Sequence, residues 1–212
     1  MKRFKLYLVD FDGTLINSFN GLYYFYREIF KVVGHEVTKE EAFLFTKISL
    51  QEAYQRVVNN DDPELIKRFI DKCDEVVHSG VLLDLNTAYL DTIPFVNYIK
   101  DNNLLCGIVT GNDEKHIKMV LNNLHINDFY SITVCSRELE HQKPHPEGIL
   151  KALEKANYTG DKKDVCYIGD AYNDALAAMR AGVTPILLNR NNEYKENEDY
   201  ILIHSLIDLF DK

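Results

Sequence analysis

The chain has 212 residues, 46% of them hydrophobic, enough for one sizeable core with a small accessory domain. It carries 33 acids against 24 bases, a net charge of -9, which argues against a general nucleic-acid binder because gripping a phosphate backbone needs a clustered positive field. The acidity reads as a solvated surface. An anionic small-molecule substrate would need a local cation and a few lysines to offset it.

No apolar run approaches the roughly 18–20 residues that span a bilayer. The basic start, Met1 to Lys5, is followed only by Leu6 to Val9 before Asp10. That stretch is too short for a signal peptide. The expectation is a cytoplasmic protein with no membrane partner. The cysteines, Cys73, Cys106, Cys135 and Cys166, show no CxxC spacing, so neither a zinc site nor a disulfide is expected.

In chain order, short β-rich runs alternate with longer helical ones. Candidate strands are Leu6–Val9, Leu105–Thr110, Ile132–Cys135, Val165–Ile168, Pro185–Leu188 and Tyr200–Ile203. Near-continuous Val/Ile/Leu runs suit strands buried on both faces of a parallel sheet. Between them, Glu114–Leu124 carries an apolar stripe of Ile117, Val120, Leu121 and Leu124, Glu147–Ala156 carries Ile149, Leu150 and Leu153, and Asn173–Ala181 runs into the stop residue Gly182. Alternating strand and helix predicts a doubly wound parallel α/β sheet.

One stretch breaks the alternation. From Leu22 to Val33 the residues Leu22, Phe25, Tyr26, Ile29, Phe30 and Val33 form an amphipathic helical stripe, ended by Gly34. Further helical patterns cover Lys39–Thr46, Leu50–Asn59 and Pro63–Ser79. A helical block of about 70 residues after the first strand reads as an inserted α-helical domain at 16–84, with the α/β core formed by 1–15 and 85–212. Its alternative is a set of extra helices packed on the sheet.

Four features fall at or just past strand ends, the edge where open α/β sheets bind ligands. In Val9-Asp10-Phe11-Asp12-Gly13-Thr14-Leu15 a strand delivers two carboxylates two residues apart, then a glycine for a sharp turn. So close a pair needs a cation or a proton between them, and Mg²⁺ takes such oxygen ligands. In Ile108-Val109-Thr110-Gly111-Asn112 a hydroxyl and nearby N–H groups stand where a helix begins, able to hold phosphate oxygens or simply to cap the helix. In Gln142-Lys143-Pro144-His145-Pro146 two prolines stiffen a loop around one lysine, whose ammonium would neutralise phosphate or carboxylate charge. In Ile168-Gly169-Asp170-Ala171-Tyr172-Asn173-Asp174 a strand again ends in glycine and two carboxylates. Asp170 is within reach of a metal shared with Asp10. Asp174, at a helix start, serves as a cap or behind the metal ligands. Alone, each piece has an ordinary structural explanation. Their order and strand context make the set specific.

With these motifs the sequence resembles the phosphatases of the haloacid dehalogenase superfamily across nearly its whole length. The resemblance is carried by Asp10 and Asp12 in DFDGTL, Thr110 in IVTGN, Lys143 in QKPHPE, and Asp170 with Asp174 in GDAYND. The DALAAMRAG stretch after Asp170 resembles the phosphoglycolate-phosphatase-like branch, and the helical insertion resembles that family's α-helical cap. The resemblance implies a Rossmann-like core, Mg²⁺ as cofactor, a small phosphorylated metabolite as partner and phosphomonoester hydrolysis as the reaction. It implies that Asp10 attacks phosphorus and forms an aspartyl-phosphate, while Asp12 protonates the leaving oxygen and then activates water. Asp10, Asp170 and the backbone carbonyl of Asp12 would hold the metal, with Asp174 behind them. Thr110, Gly111, Asn112 and Lys143 would bind the phosphoryl group, and the cap would close to exclude water.

Two relatives are set aside by Asp12: metal-free dehalogenases resemble DxYGT, and phosphonoacetaldehyde hydrolases resemble DxAGT. A β-phosphoglucomutase-type mutase shares DxDGT but resembles a pattern with a histidine soon after it. Here Asn17 to Gly21 has none, and the first histidine is His35. A catalytically silent binding protein on the same fold is the alternative of another class. The chain departs from its relatives in Thr46-Lys47-Ile48-Ser49, where a cap glycine is frequent, and in Tyr89-Leu90-Asp91, where Tyr-Pro-Gly is frequent. Lys47 is either a contact for a second anionic group or a solvated lysine. The Tyr23-Tyr24-Phe25-Tyr26 run lines a pocket mouth or packs in the core. Phosphoglycolate, sugar phosphates, nucleoside monophosphates and pyrophosphate all remain open as substrates, and oligomeric state is unreadable from this pattern.

Overall fold

The structure is a computed structural model that describes residues 3–210, apart from Lys47 and Asn59. The chain divides into two units, Met1–Asn17 with Ala88–Lys212, and Ser18–Thr87. The inserted unit thus begins two residues later and ends three residues later than the expected 16–84. In chain order the elements begin with strands β1 (Leu6–Val9) and β2 (Ile16–Asn17). Helices α1 (Phe19–Lys31), α2 (Lys39–Phe45), α3 (Leu50–Val57), α4 (Pro63–His78) and α5 (Val81–Leu85) follow. Next come β3 (Thr87–Ala88), α6 (Thr92–Asp101), β4 (Leu105–Val109), α7 (Glu114–Asn123) and β5 (Ile132–Val134). The chain ends with α8 (Glu147–Lys155), β6 (Val165–Gly169), α9 (Tyr172–Ala181), β7 (Thr184–Leu188) and β8 (Ile201–Ile203).

The larger unit is built on a six-stranded sheet in the order β5-β4-β1-β6-β7-β8, parallel at every pairing. Strand β1 lies at its centre and is buried throughout, as an interior strand covered on both faces requires. Its side chains alternate. Leu6 and Leu8 pack with Ile149, Ala152 and Leu153 of α8 and Ala177, Ala178 and Ala181 of α9. Tyr7 points to the opposite face, edge-on to Phe4 and Tyr98, and Tyr98 stacks on Phe210 at 4.4 Å. This is the doubly wound arrangement, in which successive strand ends converge along one edge of the sheet. Helix α6 is absent from the periodicity-based expectation, because Pro94 interrupts its pattern. A proline in the first helical turn breaks no intrahelical bond.

The smaller unit is helical. Its core gathers Tyr26, Ile29, Phe30, Phe45, Ala53, Tyr54, Phe69 and Val76. Phe30 is the hub, with ring centroids 5.3 Å from Phe45 and 5.2 Å from Phe69. Its helix starts are marked by Thr38 with Glu41 in a reciprocal capping box, by Ser49, and by Asp62 before Pro63, the signals expected of helix N-termini. Of the aromatic run, Tyr26 is buried and donates to the Phe45 carbonyl at 3.1 Å, while Tyr23, Tyr24 and Phe25 pack partly buried against the core. The Tyr23 ring also faces the Arg27 and Lys39 cations. Lys47, and Asn59 at the expected end of the helix from Leu50, lie outside the described residues. No helix among the described residues is long and apolar enough to cross a membrane.

Candidate active site

The backbone builds the site before any side chain does. The Asp10 N–H donates to the Ile168 carbonyl at 2.8 Å and the Thr110 N–H to the Val134 carbonyl at 3.0 Å, so the sheet's hydrogen bonding carries one residue past each strand end. Beyond Asp10 the chain turns tightly: Phe11 O accepts from both Leu15 N and Ile16 N, and Gly13 N donates to Ile16 O. Gly13 has φ +74°, and a Cβ there would lie 2.5 Å from the Asp170 carboxylate. Both facts require glycine. Gly169 is equally constrained, since its Cβ would meet the Asp174 carboxylate at 2.3 Å.

Three carboxylates meet at this edge. Oxygens of Asp10, Asp170 and Asp174 all lie within 4.8 Å of one another. Lys143 reaches in from the loop after β5 and bridges two of them, 2.8 Å from Asp10 Oδ1 and 2.6 Å from Asp174 Oδ1. Asp174 is 1% exposed, and its second oxygen accepts the Ala171 N–H at 2.9 Å. It therefore caps α9 with one oxygen and holds Lys143 with the other. Thr14 Oγ1 donates to Asp170 Oδ1 at 3.3 Å. Asn112 Nδ2 donates to Asp12 Oδ2 at 3.0 Å.

The charges are unbalanced. Burial pushes the Asp10 carboxyl up to about 8; Lys143 opposes this, while Asp174 and Asp170 reinforce it. Burial alone would drain the Lys143 proton, but Asp10 and Asp174 outweigh it and hold the ammonium well above its ordinary range. One ammonium for three carboxylates leaves a surplus of negative charge. Hard oxygen donors gathered with surplus negative charge fit a divalent cation such as Mg²⁺, so the residues present match the metal that the resemblance implies.

Thr110 and Gly111 stand at the end of β4, the neighbour of β1. The Thr110 hydroxyl is buried and accepts the Asn112 N–H at 3.2 Å, which leaves its own proton to donate. The cap of α7 is Asp113, whose carboxylate accepts the Lys115 N–H, so Thr110 is not spent as a helix cap. Asn112, expected on phosphate, donates its amide to Asp12 Oδ2.

Two contributors, Tyr167 and Arg190, escaped the sequence reading. Tyr167 is fully buried under the site. It accepts from Lys143 Nζ at 3.2 Å and donates to the Val109 carbonyl at 2.8 Å. Its signal was a lone hydroxyl in the strand Val-Cys-Tyr-Ile-Gly, since a buried tyrosine needs a polar partner. Arg190 and Asp91 form a bidentate pair at 2.9 and 3.0 Å, and Tyr89 lies under the guanidinium, 3.8 Å from Cζ to the ring centroid. Asp91 and Tyr89 are the residues of the Tyr-Leu-Asp departure noted above.

The Lys143 loop has its own anchor. Glu147 accepts from the N–H groups of Glu140 and His141 and from Lys151. Those bonds, that of Lys151 foremost, pull its carboxyl down to about 2 from the usual 4.5. A depressed carboxyl stabilises the fold above its unfolded pKa and loses that contribution as pH falls through the folded one. Glu147→Gln therefore lowers the melting temperature relative to the parent above about pH 4.5, and the gap closes as pH falls toward 2. Melting curves of both proteins from pH 2 to 7 check this; a gap that widens in acid contradicts it.

A parallel α/β sheet with an acidic, lysine-bridged centre at its carboxyl edge is the frame of an α/β enzyme that binds its ligand at that edge. The model of the haloacid dehalogenase-like hydrolases matches residues 7–188, and the chain belongs to that family of hydrolases. A pyrophosphatase PpaX of Anoxybacillus flavithermus is 28% identical over 180 residues, covering 82% of this chain and 79% of its own. Among solved structures, a haloacid dehalogenase-like hydrolase from Bacteroides fragilis superimposes with a TM-score of 0.85 at 24% identity, covering 98% of this chain and all of its own. A β-phosphoglucomutase from Clostridium difficile does so with a TM-score of 0.77 at 20% identity, covering 98% and 93%. At these identities the two structures speak for the fold.

Proposed function

We propose that the chain is a Mg²⁺-dependent phosphatase of a small phosphorylated metabolite, acting through an aspartyl-phosphate on Asp10. The observation that carries this reading is the Lys143 ammonium held between Asp10 and Asp174 beside the Asp170 carboxylate. Asp10, Asp170 and the Asp12 backbone carbonyl would hold Mg²⁺, and Asp174 supports them through Lys143. The ion supplies charge neutralisation for the phosphoryl group and for the carboxylate that attacks it. Asp10 attacks phosphorus with one carboxylate oxygen while the ester oxygen leaves. Asp12 gives that oxygen a proton and then takes one from the water that releases phosphate. Asn112 occupies Oδ2 of Asp12, which directs that proton to Oδ1. The spare hydroxyl proton of Thr110 and the Lys143 ammonium hold the phosphoryl oxygens.

The test is phosphate release by the purified chain from p-nitrophenyl phosphate and from a panel that includes phosphoglycolate, sugar phosphates, nucleoside monophosphates and pyrophosphate. The last is included because the PpaX relative carries that activity in its name. Release is expected with Mg²⁺, lost in EDTA and restored by added Mg²⁺. Release undiminished in EDTA, or none across the panel, overturns the reading. Conversion of β-glucose 1-phosphate into glucose 6-phosphate would mark a mutase instead, a reading that the absence of histidine from Asn17 to Gly21 disfavours.

A further inference from the structure

The geometry points to Arg190 as a positioning residue that clamps the turn carrying Asp12 and Thr14, and so sets both the acid/base carboxylate and the Asp170 side of the metal site. This rests on the phosphatase reading above. Arg190 lies two residues past β7, which is not a neighbour of β1; β6 runs between them. Its guanidinium crosses that gap. Nε donates to the Gly13 carbonyl at 3.3 Å and Nη2 to the Thr14 carbonyl at 2.7 Å. The rest of the fork is fixed by Asp91 and laid flat on Tyr89. Asp91 is fixed in turn by the Ser205 hydroxyl and the Leu206 N–H, both at 2.8 Å.

Only an arginine does this. Two carbonyls and a carboxylate around one side chain need several N–H donors in a rigid plane, and a lysine offers a single point charge. Gly13 and Thr14 directly follow Asp12, so holding their carbonyls fixes the peptide that aims the Asp12 side chain and its backbone oxygen. The same hold sets the Thr14 hydroxyl against Asp170. The Arg190 hydrogen bonds described above go to the Gly13 and Thr14 carbonyls and to Asp91, so it acts through the turn. A brace that serves folding alone would lower stability and leave turnover and metal affinity in place.

The experiment compares wild type with Arg190→Lys and Asp91→Asn, measuring kcat and KM for p-nitrophenyl phosphate at saturating Mg²⁺, Mg²⁺ affinity by calorimetry, and melting temperature. Misplacing a reacting group by about 1 Å costs up to about 100-fold, and losing a support behind a metal ligand costs about 10- to 100-fold in affinity. For Arg190→Lys the expected result is a kcat lowered about 30-fold, a KM changed less than about threefold, and Mg²⁺ bound about tenfold more weakly. Asp91→Asn keeps the Ser205 and Leu206 bonds and should show the same pattern at about a third of the size on a log scale. A folded Arg190→Lys with wild-type kcat or wild-type Mg²⁺ affinity overturns the proposal. If Arg190→Lys does not fold, Asp91→Asn decides by the same criteria. If wild type releases no phosphate from any substrate, the phosphatase reading falls, and the calorimetric comparison still decides whether Arg190 governs the metal site.

Discussion

Asp10→Asn should lower metal-dependent phosphate release by at least about 10⁴-fold, because an amide oxygen is too weak a nucleophile to form the covalent intermediate. The fold should survive. The substitution keeps the shape of the side chain, and Lys143 keeps its bond to Asp174. It also removes one of three crowded carboxylates, so the metal-free variant should melt no lower than the parent near pH 8. The sign follows from the raised Asp10 carboxyl. Its folded pKa is about 8 against 3.8 in the unfolded chain. Between those values the folded state holds a proton that the unfolded state has released, so stability falls as pH rises. In EDTA the wild type should lose melting temperature from pH 5 to pH 8, and Asp10→Asn should lack that part of the slope. Activity assays with scanning calorimetry at several pH values check both parts. A variant that keeps more than a few per cent of wild-type activity removes Asp10 from the nucleophile's role.

The strands of this fold were legible because their burial is written as near-continuous aliphatic runs. Leu6–Val9 reads and folds as the same four residues, and the other strand ends differ by a residue. The carboxylate cluster was legible through punctuation: acids and then a glycine after β1, at Asp10, Asp12 and Gly13, and a glycine and then acids at the end of β6, at Gly169, Asp170 and Asp174. Long-range partnership was not legible. Nothing local in Val-Cys-Tyr-Ile-Gly tells that Tyr167 stands beneath Lys143, 24 residues away in sequence, and nothing in Asn-Arg-Asn tells that Arg190 spans to Thr14, 176 residues back. Asn112 shows the same gap. Its place beside Thr110 suggested phosphate, yet its amide lands on Asp12, 100 residues away in sequence, because parallel pairing of β1 with β4 brings the two strand ends together. The helical insertion was legible as to type, since no strand pattern interrupts it. Its limits were blurred by β2 and β3, two residues each, too short to leave a period.

Lys143→Met should be the second most damaging change, and it should damage chemistry and stability together. Methionine fills much the same space, but it leaves Asp10, Asp170 and Asp174 without the ammonium that bridges two of them. Lys143 is only 21% exposed. Removing one partner of a buried ion pair costs about 3–5 kcal/mol, reduced here to the extent that the carboxylates take up protons. The metal-free variant should therefore melt well below wild type at pH 7.5. Mg²⁺ should raise its melting temperature more than it raises that of wild type, since the cation then answers charge that Lys143 otherwise shares. With Mg²⁺ saturating, kcat should fall about 10²- to 10³-fold, the usual loss when one preorganised charge is taken from a transition state. Lys143→Arg keeps the charge but brings a planar fork into a space sized for a single nitrogen between two oxygens, so it should recover stability before activity. If Lys143→Met keeps kcat within tenfold of wild type, the ammonium is a structural tie between Asp10 and Asp174, and phosphate is held by Thr110 and the backbone N–H groups at the end of β4.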